Sequence, residues 1–234
     1  MRLCMFHPDD LPLERGWVGR IDGGHVVQLA AQTLESFFTG GGSAREHAVY
    51  PREAVRLLAP VLHPPSVRIF ESQDAFAFAN PAAVIGPGAN VRGRPCDKEP
   101  QGGLVLLARL AGVVGAAGEI AGFTVLGEWR DPGRSAPKDR DFALGLGPIV
   151  VTGDELDVRG IRAAVQVDGE ERRSGGFDGF DFSRARDVAA EGTVLRPGDL
   201  LAGPALDPVP IDGGTEVEVE VDGIGVLAQR LERA

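Results

Sequence analysis

Apolar and polar positions along this chain alternate with the period of β-strands far more often than with that of helices. The segment Thr215-Glu216-Val217-Glu218-Val219-Glu220-Val221 alternates strictly, so its glutamates share one face and its valines the other. The valine face predicts a core contact. The glutamate face predicts a solvated surface, because nothing in the pattern converges on it. Residues 104–110 form an apolar run interrupted only by Arg109 and predict a buried strand. Residues 16–21, 25–29, 121–126, 148–152 and 161–167 predict further strands. Asp22-Gly23-Gly24 and Asp168-Gly169 predict hairpin turns, since Asp-Gly tolerates the positive φ that tight turns need. Helical spacing is confined to residues 29–38, closed by Gly40-Gly41-Gly42-Ser43 as a flexible joint, and to residues 184–191. The pattern predicts a mostly β fold of the α+β type.

Composition narrows this picture. A length of 234 residues suits one large domain, over residues 51–234, behind a small β-rich unit over residues 1–50. The 33 glycines and 17 prolines fit a chain of many short strands and turns. Twenty-four basic against 34 acidic residues give a net charge of −10, which repels phosphate backbones and argues against nucleic-acid binding. Cys4 and Cys96 lack CxxC spacing, which suggests neither a disulfide framework nor a zinc site. No window approaches the roughly 18 apolar residues of a membrane span, and the first residues lack an apolar leader. A cytoplasmic location, with no membrane partner, is expected.

Five segments in order resemble the fumarylacetoacetate hydrolase family. They are Asn80-Pro81-Ala82-Ala83-Val84-Ile85-Gly86-Pro87-Gly88; Gly122-Phe123-Thr124-Val125; Lys138-Asp139-Arg140-Asp141-Phe142-Ala143-Leu144-Gly145-Leu146-Gly147-Pro148, with Val150-Val151-Thr152-Gly153-Asp154-Glu155-Leu156; Leu195-Arg196-Pro197-Gly198-Asp199; and residues 219–227. The resemblance implies a rolled, mixed β-sandwich, usually a homodimer. It also implies activity on carbon–carbon bonds of small 2-oxo acids and diketones. In that family carboxylates hold a Mg²⁺-type ion against the keto-enolate oxygens, and a His/Glu pair activates water.

Against the family pattern, the chain departs where the chemistry resides. The family's metal strand opens with Glu-x-Glu; aligning the apolar run from Leu104 places Gln101 and Gly103 there. Glu128 occupies the position of the next ligand, an aspartate. A nearby Asp97-x-Glu99 pair could serve, with Glu128, as metal ligands only after a four-residue slip that Pro100 opposes. The expected cofactor is therefore none, with Mg²⁺ or Mn²⁺ implied only if the placement of Gln101 and Gly103 is wrong. The lid that carries the His/Glu pair is missing, because Pro64-Pro65 runs almost directly into residues 76–81, and no histidine follows His63. Arg130-Asp131-Pro132-Gly133 replaces a Ser-Ala-Arg-Asp stretch, and Gly203-Pro204 replaces a Gly-Thr motif.

Lys138 survives in its motif, although lysine occurs only there and at Lys98. The resemblance gives it the carbonyl or enolate, with Glu128 holding it in place and the strand of Phe142, Leu144 and Pro148 desolvating it. Ion pairing with Asp141 or Asp139 is the alternative. Lys138 and Glu128 are the expected catalytic residues, and Arg130, Asp141 and Glu71 the expected substrate contacts. Three functions follow: a metal-independent lyase, isomerase or cyclase for a small oxo acid or diketone; a non-catalytic pseudoenzyme acting as a binding or partner subunit; or an ordinary metal-dependent C–C bond hydrolase.

Overall fold

The computed structural model describes residues 1–92, 103–211 and 216–232. In chain order the strands are β1 (Arg2–Pro8), β2 (Trp17–Asp22), β3 (His25–Leu29), β4 (Glu46–Pro51), β5 (Val55–Leu58), β6 (Val67–Ser72), β7 (Ala75–Ala79), β8 (Val84–Ile85) and β9 (Asn90–Arg92). There follow β10 (Leu104–Val114), β11 (Ile120–Arg130), β12 (Leu144–Thr152), β13 (Arg162–Val167), β14 (Glu170–Gly176), β15 (Leu200–Ala202), β16 (Val209–Ile211), β17 (Glu216–Val221) and β18 (Gly225–Glu232). Among the described residues two α-helices interrupt them, α1 (Leu34–Thr39) and α2 (Phe182–Ala190). The chain is mostly β, as the periodicity implies.

A large sheet runs β4-β3-β2-β1-β12-β11-β10-β15-β6-β7, with β16, β5 and β8 attached to β10, β1 and β12. A smaller sheet runs β14-β13-β17-β18-β9. The expected hairpin turns close β2–β3 and β13–β14; in the second, Asp168 and Gly169 have φ of 50° and 80°. On β17, Val217, Val219 and Val221 are buried while the glutamates face outward or stay half-buried. The first fifty residues do form β-rich structure, but β1 pairs with β12 and β5, which makes them one flank of the large sheet. The predicted first helix is shorter than its spacing suggests. Thr33 caps it, with its side chain accepting from the Ser36 amide, so residues 29–32 stay outside.

Strands β10, β11 and β12 are buried on both faces. One face, through Leu104, Leu106, Ala108, Leu110, Val125 and Trp129, packs against Val165, Val219 and Leu227 of the small sheet. The other, through Ala111, Val113, Leu126 and Leu144, joins Val67 and Ile69 of β6. The sheets lock together at a notch. Gly127 and Gly145 are cross-strand partners, and a Cβ on Gly145 would collide with the Gln229 amide. Gln229 Oε1 there accepts the Trp129 indole N–H at 2.8 Å.

Candidate functional site

Side chains on one strand point alternately to opposite faces. In β11, Trp129 therefore turns into the sandwich while Glu128 and Arg130 turn away from the small sheet. In β10, Arg109 shares that outer face with Leu107. The strand register pairs Leu107 with Glu128 and Arg109 with Leu126. Arg109 and Glu128 thus meet diagonally across the ladder.

Four charged side chains converge here. Arg109 Nε donates to Glu128 Oε2 at 2.9 Å, and Nη2 lies 2.8 Å from the same oxygen. Arg109 Nη2 also donates to Glu71 Oε1 at 2.8 Å, and Nη1 donates to the Gly203 carbonyl at 2.9 Å. Arg130 Nε donates to Glu128 Oε1 at 2.8 Å and Nη2 to Glu71 Oε1 at 3.1 Å. Arg109 and Glu128 have no exposed side-chain surface, Arg130 retains 24% and Glu71 57%. Burial pulls the Arg130 pKa down. The hydrogen bond and charge of Glu128, with the charges of Glu71 and Asp139, outweigh that and hold it above its ordinary value.

Local structure explains the convergence. Glu71 sits where the β6–β7 register slips between Phe70 and Ser72, and such a bulge re-aims a side chain. β15 ends at Ala202, leaving the Gly203 carbonyl to accept from Arg109. The β6–β7 turn is short, with β6 ending at Ser72 and β7 beginning at Ala75.

The structure therefore brings together Glu128, Arg130 and Glu71 from the expected set and adds Arg109, which sequence reasoning missed. A single charge inside an eleven-residue apolar strand was the available signal, because a fully buried arginine requires partners. Lys138 and Asp141 lie elsewhere, bonded to each other at 2.6 Å. Glu128 does not hold Lys138 as expected, since both its oxygens serve arginines. Nor is the ammonium desolvated by the following strand: the Lys138 side chain is 68% exposed. Asp141 lines a hollow of about 400 Å³ between β7 and the segment after β11, together with Phe78, Asn80, Pro137 and Arg140.

A divalent cation does not fit this donor set. Glu128 is engaged through both oxygens, its direct cross-strand neighbour is Leu107, and two guanidiniums flank it. Among the described residues no three His, Cys, Asp or Glu side chains gather to hold a metal ion. Asp97, Glu99 and Gln101 lie outside the described residues. Gly103 precedes β10, whereas the alternate pair on β10 that flanks Glu128 is Leu107 and Arg109. The placement of Gly103 beside the site is thereby corrected. Glu216, Glu218 and Glu220 carry no converging site.

The fumarylacetoacetate hydrolase C-terminal domain model matches residues 44–232, and the chain belongs to that family. Its fold is similar to that of fumarylacetoacetate hydrolase from Exiguobacterium antarcticum, with a TM-score of 0.82, 20% identity and 100% of both chains covered. It is also similar to 5-carboxymethyl-2-hydroxymuconate delta-isomerase from Mycobacterium smegmatis, at 0.78, 23% identity and 100% of both chains. Maleylpyruvate hydrolase from Sphingobium sp. SYK-6, solved with manganese(II) and pyruvate, superposes at 0.79 with 19% identity, covering 99% of this chain and 98% of that one. A search among curated proteins gave no match. Among the described residues, no helix is long and apolar enough to cross a membrane.

Proposed function

We propose that this chain is a metal-independent enzyme that moves protons on a small 2-oxo or diketone-type compound, as an isomerase or lyase. One observation carries the reading: Arg109, wholly buried, sets a guanidinium against Glu128, the carboxylate that the family resemblance points to as a metal ligand. A fixed guanidinium supplies positive charge without a metal and needs no reorganisation when negative charge develops. Arg130 continues that charge to the solvent edge, where a carboxylate or enolate oxygen can meet it. The relatives support the substrate class, since one is an isomerase and another was solved in complex with manganese(II) and pyruvate.

The test is a panel of small 2-oxo acids and diketones, including oxaloacetate and acetylpyruvate, followed by NMR in EDTA and again with Mn²⁺. Turnover that survives EDTA supports the proposal. Turnover that requires Mn²⁺ ends it.

The second reading is a non-catalytic binding subunit. It is favoured by the neutral charge of the quartet and by the protein acceptors that meet every nitrogen of Arg109. Tight binding of an oxo acid with no conversion of any compound in the panel would select it.

A further inference from the structure

We infer that Glu71 is the proton-transfer group of this site, and that Glu128, to which the family motif points, only positions the two arginines. The inference rests on the reading of a metal-free enzyme for enolisable carbonyl compounds. The two carboxylates differ in what they can do. Glu128 has no exposed surface, and each of its oxygens accepts from a charged nitrogen. Protonating it would break a charge-assisted bond in the interior and leave guanidiniums unpaired. A substrate has no path to it.

Glu71 is built differently. Both arginines bind its Oε1, and among the described residues its Oε2 has no partner. It is the one carboxylate of the four-residue cluster that can take and return a proton while both ion pairs stay in place. Its position on a bulge of an exposed hairpin keeps it at the solvent edge. Arg130 lies beside it, and its Nη1 has no protein acceptor among the described residues. A base and a cation are thus adjacent on one rim, which is the pairing that enolisation needs.

The step is balanced with no co-reactant. Glu71 Oε2 removes a proton from the carbon next to a ketone of a small 2-oxo carboxylate. The C–H electron pair forms the C=C bond, and the carbonyl pair moves onto oxygen, where the Arg130 guanidinium holds it. The exposed Glu71 carboxyl swaps its proton with water and reprotonates the same carbon, giving solvent exchange, or delivers the proton to a conjugated carbon, giving isomerisation.

The experiment compares wild type with Glu71→Gln in D₂O, following deuterium entry at C3 of pyruvate and 2-oxobutyrate by NMR. Oxalate affinity is measured in parallel as an enolate-shaped probe. The expected result is at least a hundredfold loss of exchange, with oxalate affinity within threefold of wild type and an unchanged melting temperature. Exchange by Glu71→Gln at the wild-type rate overturns the inference and leaves the enzyme reading intact. Parallel loss of oxalate affinity and exchange makes Glu71 a positioning residue and also overturns it. A wild type that binds oxalate but exchanges neither probe sinks the enzyme reading, and the role of Glu71 with it.

Discussion

Arg109 and Glu128 face each other diagonally across the β10–β11 ladder with no side-chain surface exposed on either, joined at 2.9 Å. An ion pair this deep is held by its geometry: the desolvation of each charge is large, and only the partner and the added hydrogen bonds offset it. Removing one member should hurt more than removing both. Arg109→Leu and Glu128→Leu are each expected to lose about 3–5 kcal/mol, and Arg109→Leu/Glu128→Leu less than either alone. Urea unfolding of the four proteins closes the cycle, and additive losses would show that the pair is not coupled.

Metal binding should be recoverable by changing the residues that exclude it. Leu107→Glu/Arg109→Glu places two alternate carboxylates beside Glu128 and takes away one guanidinium. Millimolar Mn²⁺ is expected to raise the melting temperature of this variant by several degrees and to leave the parent unmoved, as binding to the native state alone requires. An equal rise in both proteins would contradict the misfit.

The ion pair of Lys138 with Asp141 is exposed and spans three residues of a loop. Pairs of this kind contribute about 0–1 kcal/mol. Lys138→Arg should be silent in stability and in oxalate affinity, and Lys138→Ala should cost no more than about 1 kcal/mol in stability. A tenfold fall in oxalate affinity for Lys138→Ala would return this lysine to the site.

Burial pushes the Cys4 thiol up to about 12, against a minor opposing pull from Arg52. The folded state thus keeps its proton where the unfolded chain loses it, near pH 9. Stability from this group is complete below that value and falls by about 1.4 kcal/mol per pH unit as pH rises towards 12. Iodoacetamide at pH 9 should leave the Cys4 peptide unmodified until denaturant is added. Alkylation of the native protein at the rate of the denatured one would refute the shift.

Strand periodicity in the sequence announced the sheets, because alternation such as that of residues 215–221 reports burial directly. The hairpins at Asp22-Gly23 and Asp168-Gly169 were equally legible, since few residue types adopt their backbone. The site was legible only in part. Glu128 and Arg130 could be placed because they sit two apart on one strand and share a face. Glu71 and Arg109 belong to strands separated by β15, and no local rule brings them together. Lys138 drew attention through its motif and rarity, yet the loop turns it to solvent, where Asp141 is nearest. Register was the missing quantity: a shift of six residues separates Gly103 from Arg109 along one apolar run, and periodicity alone does not choose between them.

The notch where Gln229 meets Gly127 and Gly145 gives the protein an optical reporter. The indole bonded to Gln229 belongs to Trp129, which stands in the chain between Glu128 and Arg130. A ligand that shifts the backbone at either of those residues also shifts the strand carrying the chromophore, on its opposite and dry side. Trp129 emission therefore couples occupancy of the charged rim to the seam between the sheets, and Trp17 is the one other tryptophan that contributes background.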